Sequence, residues 1–174
     1  MAMAGNYYTS EEIRKAMPID RAKACRALVQ AGRGVMAHGV SGQFKTTCMI
    51  NGALRWLIME GKEVTFMTAA TWRQRASHAA KECTTEKFLR PLKTVPWLFL
   101  DDLGNMHGNE TAAEALNDLL EARVANGCLP ILATTQYDAT EMVKRFPREE
   151  TGIAICRRLR LLAEPVDFNT PQPR

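Results

Sequence analysis

No run in the sequence approaches the roughly 18 uninterrupted apolar residues of a membrane span. The opening MAMAGNYYTSEE is too polar for a secretory signal, so a soluble, cytoplasmic protein without a membrane is expected. Cysteine is sparse: Cys25, Cys48, Cys83, Cys128 and Cys156 are scattered and odd in number. No CxxC or CxxxH spacing exists, which excludes a disulfide framework and a clipped zinc ion. Neither sign of charge dominates, since 23 Lys and Arg against 19 Asp and Glu leave +4, a balance that permits contact with nucleic acid without demonstrating it. There is no internal repeat. What is present is 174 residues, 46% hydrophobic and 24% charged, which suits one compact domain able to bury roughly 70% of its unfolded surface.

Period and punctuation divide the chain. A capping box from Thr9 to Glu12 opens a short helix that Pro18 stops, and Asp20 caps a second helix over residues 21–31 that ends at Gly32. These two short helices fill residues 1–32 and are expected to pack on a core spanning 33–168, with 169–174 as a tail. Within the core, apolar strands are expected at 34–37, 63–68, 97–100, 129–134 and 165–168. Helices are expected at 45–60, 71–83, 111–125, 139–145 and 152–162, and 84–96 reads as a polar stretch. Short apolar strands alternating with helices predict an α/β fold with a five-stranded parallel sheet between helices. Ligands of such sheets bind beyond strand C-terminal ends, here after Ala37, Leu100 and Thr134.

Polar motifs stand at all three places. After the first strand, Gly39-Val40-Ser41-Gly42-Gln43-Phe44-Lys45-Thr46 fits GxxxxGK[ST] at every fixed position but one, where Phe44 replaces glycine. A strand, a tight loop and a helix opening at Lys45 aim backbone N–H groups at a phosphate, with Thr47 on the next position. Lys45 then neutralises the β and γ phosphates of ATP and Thr46 sets its hydroxyl on Mg²⁺; the bland alternative is a glycine turn with a solvated lysine. Phe44 reads as a tolerated variant of the motif, the alternative being a weakened hydrolysis, because that glycine often holds a conformation costly to a residue with a Cβ. The run Leu98-Phe99-Leu100-Asp101-Asp102 reads as a Walker B strand, with Asp101 on Mg²⁺ through water and Asp102 orienting or deprotonating the attacking water. Gln136, after Ala133-Thr134-Thr135, stands where a nucleotide sensor sits, although a strand-end turn would choose the same residues. Near the end, Cys156-Arg157-Arg158-Leu159-Arg160 is either a solvated basic face or an arginine finger, which requires an oligomer. Trp72-Arg73-Gln74-Arg75 with His78 and Lys81 is either a groove for single-stranded DNA or the wet face of an amphipathic helix.

The order of these motifs over residues 33–168 resembles the AAA+ P-loop ATPases of the DnaC and DnaI helicase-loader group and the IstB-type transposition ATPases. The resemblance rests on the phosphate loop, Asp101-Asp102-Leu103-Gly104, Leu120-Glu121-Ala122-Arg123, and Arg158-Leu159-Arg160-Leu161-Leu162-Ala163. It implies an AAA+ core with little or no C-terminal lid and Arg158 as the finger, with Arg157 as the fallback. It also implies homo-oligomers, a replicative helicase and single-stranded DNA as partners, and a role in DNA replication. The chain departs from the group at Phe44, at Gln136 where asparagine is usual, and in the 38 residues before Gly39, where loaders carry a separate helicase-binding domain. Three functions are therefore carried: an ATP-hydrolysing loader or IstB-like remodeller, a nucleotide-dependent adaptor with weak or no hydrolysis, and a small P-loop kinase.

Overall fold

The computed structural model describes residues 17–105 and 109–169, so the short helix expected from Thr9 and residues 170–174 of the expected tail lie outside the described residues. Helix α1 (Ile19–Gln30) leads to strand β1 (Val35–His38). Helix α2 is composite: Lys45–Cys48 is α-helical, Met49–Leu54 widens to π-helical bonding, and Arg55–Met59 is α-helical again. There follow β2 (Val64–Thr68), α3 (Ala69–Lys81), α4 (Thr85–Thr94) and β3 (Trp97–Asp101). After a 3-10 turn at Leu103–Asn105 come α5 (Glu110–Ala125), β4 (Ile131–Thr135), α6 (Ala139–Val143), α7 (Glu149–Leu162) and β5 (Glu164–Asp167). The five strands form one sheet in the order β2-β3-β4-β1-β5, and every pairing is parallel.

The sheet is covered on both faces. Val35, Ala37, Phe99, Leu132 and Val166 face α1 and α2, whereas Leu98, Leu100, Ile131 and Ala133 face α3, α5 and α7. Burial on both sides is why β3 and β4 read as continuous apolar runs rather than alternations. Each fully buried leucine here contributes about 1.5–3 kcal/mol by leaving water. Among the described residues no helix is long and apolar enough to cross a membrane.

One expectation needs correction, and one of the two readings of α3 is decided. The stretch 84–96 is not merely polar: it folds as α4, with Leu89 and Leu92 buried and Pro91 inside the helix. Trp72 cannot offer a stacking face to DNA, because its ring is fully buried and its indole N–H donates to Ala112 O at 2.9 Å. The exposed polar residues of α3 thus belong to an amphipathic helix whose aromatic side is core.

Arg123, read only as part of a helix end, is fully buried. Its guanidinium donates to Leu92 O at 2.7 Å, Val95 O at 2.9 Å, Pro96 O at 3.4 Å and Pro130 O at 2.9 Å. One side chain thereby ties α5 to the segment entering β3 and to the segment entering β4. Burial pulls its pKa down to about 10, which leaves it a cation at neutral pH.

Candidate nucleotide-binding site

The site follows from strand order. β4 lies between β1 and β3, so its C-terminal end separates the loop after β1 from the carboxylates after β3. Parallel register sets Leu100 beside Ala133 and Ala37 beside Thr134. Thr134 therefore stands between the two motifs, 2% exposed.

Its hydroxyl binds both aspartates. Thr134 Oγ1 donates to Asp101 Oδ1 at 2.6 Å and accepts from Asp102 N at 2.8 Å. Asp101 Oδ1 also accepts from Thr46 Oγ1 at 2.8 Å, so the first turn of α2 meets the end of β3. Asp102 adopts a left-handed backbone, φ 61°, which its amide bond to Thr134 helps to hold. Thr46 Oγ1 and Asp101 Oδ1 are hard oxygen donors side by side, a set that fits Mg²⁺.

The loop is closed by its own lysine. Lys45 Nζ donates to Gly39 O at 2.5 Å and Val40 O at 2.7 Å. Burial lowers the pKa of this ammonium, while the carboxylates of Asp102 and Asp101 pull it the other way. Those through-space effects place the cation within the field of both acids. At Gly39, φ is 146° and an added Cβ would stand 3.0 Å from Phe168 Cβ and Asn169 Oδ1, so both conformation and space call for glycine. Asn169 Oδ1 accepts from Val40 N at 2.8 Å, which anchors the loop to the chain just beyond β5. Phe44 occupies the left-handed region, φ 56° and ψ 21°, the conformation in which glycine is usual at this motif position, and its half-buried ring packs on the α1/α2 core.

Three other residues singled out by sequence are placed as follows. Gln136 follows β4, and its Nε2 donates to Tyr137 OH at 3.0 Å. Arg158 is engaged elsewhere in this chain, since its guanidinium donates to Asn117 Oδ1 at 2.7 Å and Glu121 Oε2 at 2.8 Å on α5. Arg157 is exposed on α7. Sequence reasoning did not find Asn169 or the two hydrogen bonds of the Thr134 hydroxyl. A threonine inside a fully buried strand, one register step from an acidic strand end, was the available signal for the latter.

No family model matches the chain, and no curated protein matches it in sequence. Solved structures do match. The DnaC helicase loader superposes with a TM-score of 0.70 at 20% identity, covering 83% of this chain and 85% of that one. DnaI gives a TM-score of 0.70 at 23% identity, over 92% of this chain and 86% of the other. AMPPCP-bound DnaA from Aquifex aeolicus gives 0.66 at 19% identity over 93% of this chain, which spans 48% of that structure. The chain therefore shares the fold of DnaC, of DnaI and of the matching part of DnaA.

Proposed function

We propose that this chain is an ATP-hydrolysing AAA+ protein of helicase-loader type, which couples ATP to assembly on single-stranded DNA or on a replicative helicase during DNA replication. The observation that carries the reading is the bond between Thr46 and Asp101, because it joins the phosphate loop to the acidic strand end in a fold shared with helicase loaders. The loop residues Gly39, Val40, Ser41, Gly42, Gln43, Phe44, Lys45, Thr46 and Thr47 hold the phosphates, chiefly through backbone N–H groups at the start of α2. Lys45 balances phosphate charge, and Thr46 and Asp101 hold Mg²⁺. The ion, when bound, supplies positive charge to phosphate oxygens. Asp102 takes the proton of the attacking water, and Gln136 orients that water or a phosphate oxygen. Arg158 of a second copy supplies a guanidinium across a subunit boundary, after exchanging its hold on Asn117 and Glu121 for the phosphate.

Turnover measured with ATP and Mg²⁺ tests the assignment. Asp102→Asn is expected to bind ATP normally and to lose about a hundredfold or more in rate. Lys45→Ala and Arg158→Ala chains, each nearly inactive alone, are expected to recover part of the activity when mixed, because some interfaces then hold both elements intact. Wild-type rates in Asp102→Asn would reject its role, and a mixture as inactive as its components would reject the shared site.

The adaptor reading is favoured by one observation, the left-handed Phe44. Phe44→Gly relieves about 1–2 kcal/mol of backbone strain and loses about 1 kcal/mol from a half-buried ring. Its melting temperature is therefore expected to stay within a few degrees of wild type, and its ATP affinity within about threefold. If wild-type turnover is at background and Phe44→Gly raises it, the protein works as a nucleotide-dependent adaptor. Comparable turnover in both supports the ATPase.

A further inference from the structure

Gly104 has an ordinary place in a short 3-10 turn, yet it cannot carry a side chain. An added Cβ would stand 2.1 Å from Cδ2 and 2.2 Å from Cε2 of Tyr137. The tyrosine ring thus lies directly on the backbone of the turn that follows Asp102. Arg145, beyond α6, stacks its guanidinium on the ring at 4.0 Å from the centroid. Tyr137 N donates to Thr135 Oγ1 at 3.2 Å, which fixes the backbone at the exit of β4. With the ring fixed at its centre, the phenol oxygen is a stationary acceptor, and it takes one N–H of Gln136 at 3.0 Å.

We infer that Tyr137 is a positioning residue for Gln136, tying its amide to the turn after Asp102. The inference rests on the ATPase reading above. A carboxamide nitrogen has two N–H bonds and its oxygen two lone pairs. Tyr137 engages one N–H, which sets the plane of the amide and leaves the second N–H and Oε1 for a phosphate oxygen and a water. A glutamine has one more rotatable bond than an asparagine, so an anchor of this kind removes freedom that would otherwise be lost at each turnover. The same ring reads the position of the turn at Gly104, so a shift of that turn reaches Gln136 through a single rigid side chain.

Tyr137→Phe separates this role from packing, because it keeps the ring on Gly104 and under Arg145 and deletes only the hydroxyl. With ATP and Mg²⁺ as probes, kcat is expected to fall about tenfold, with ATP affinity, KM and melting temperature unchanged. Gln136→Ala should fall at least as far, and the double variant no further than Gln136→Ala alone. Gly104→Ala, which displaces the ring, should show the same loss of kcat. Wild-type turnover in Tyr137→Phe, or losses in Tyr137→Phe and Gln136→Ala that multiply, overturns the positioning role and leaves the ATPase standing. A wild-type chain that binds ATP without turnover fails the ATPase reading itself and overturns this inference with it.

Discussion

Lys45→Ala is expected to lose ATP binding by at least about a hundredfold while the domain stays folded. The ammonium sits on the first residue of α2 and is the cation that the loop encloses, bonded to the carbonyls of Gly39 and Val40. A unit charge about 4 Å from a phosphate oxygen is worth about 4 kcal/mol at an effective dielectric constant of 20, which converts to roughly a thousandfold in affinity. The backbone N–H groups of the loop remain in the variant and keep a residual, salt-sensitive affinity. Little stability should be lost, because burial already disfavours the charged form of this lysine. The same burial gives a pH signature. The folded chain sheds this proton below the ordinary lysine value of 10.5, so ATP affinity should fall with rising pH sooner than for an exposed lysine. Calorimetric titration at several pH values measures both effects, and equal affinity in wild type and Lys45→Ala would remove the phosphate site.

Arg123→Ala is expected to have the largest effect on stability. The substitution strips donors from four backbone carbonyls, those of Leu92, Val95, Pro96 and Pro130, and opens a cavity behind them. Breaking a buried, hydrogen-bonded charge costs about 3–5 kcal/mol, and for a chain of this size each kcal/mol moves the melting temperature by about 2–4 °C. A fall of roughly 10 °C or more should follow. The arrangement is not ideal even intact, since Arg123 Nε has no partner and is the only such buried side-chain nitrogen or oxygen among the described residues. Arg123→Met, which fills the volume without donating, should recover only a small part of the loss. Thermal melts decide the matter, and an Arg123→Met chain within two degrees of wild type would show that packing, not donation, is what this residue supplies.

The sequence displayed β3 and β4 clearly because each is a short apolar run ended by a polar residue, and strands covered on both faces require that pattern. Boundaries moved by one or two residues, as at β1, expected over 34–37 and found at Val35–His38. Helix α4 was hidden by Pro91, whose punctuation outweighed the spacing of Phe88, Leu89 and Leu92. Arg123 was hidden differently. A charged residue on a helix reads as solvated, and only the nonlocal gathering of four carbonyls makes its burial favourable. At the site, motif spacing put Thr46 and Asp101 to one task, because loop and strand ends are local features, but it did not show Thr134 between the two aspartates. Asn117 and Glu121, which bind Arg158, and Gly104, which lies under the ring of Tyr137, are remote in sequence from their partners, and no local spacing encodes them.

The widened stretch at Met49–Leu54 makes α2 a helix with one insertion in it. Each i to i+5 bond encloses one residue more than an α-helical turn, and Asn51 covers Thr47 O with its side-chain amide at 3.0 Å where the ladder changes step. The loop-side start at Lys45 and the core-facing Leu57 are therefore out of phase by a residue relative to an unbroken helix. Any alignment of this chain with a P-loop protein whose helix is straight needs a gap within 49–54. An ungapped comparison that matches Lys45 and Thr46 will set buried positions against exposed ones for the rest of the helix and score a related sequence as a poor one.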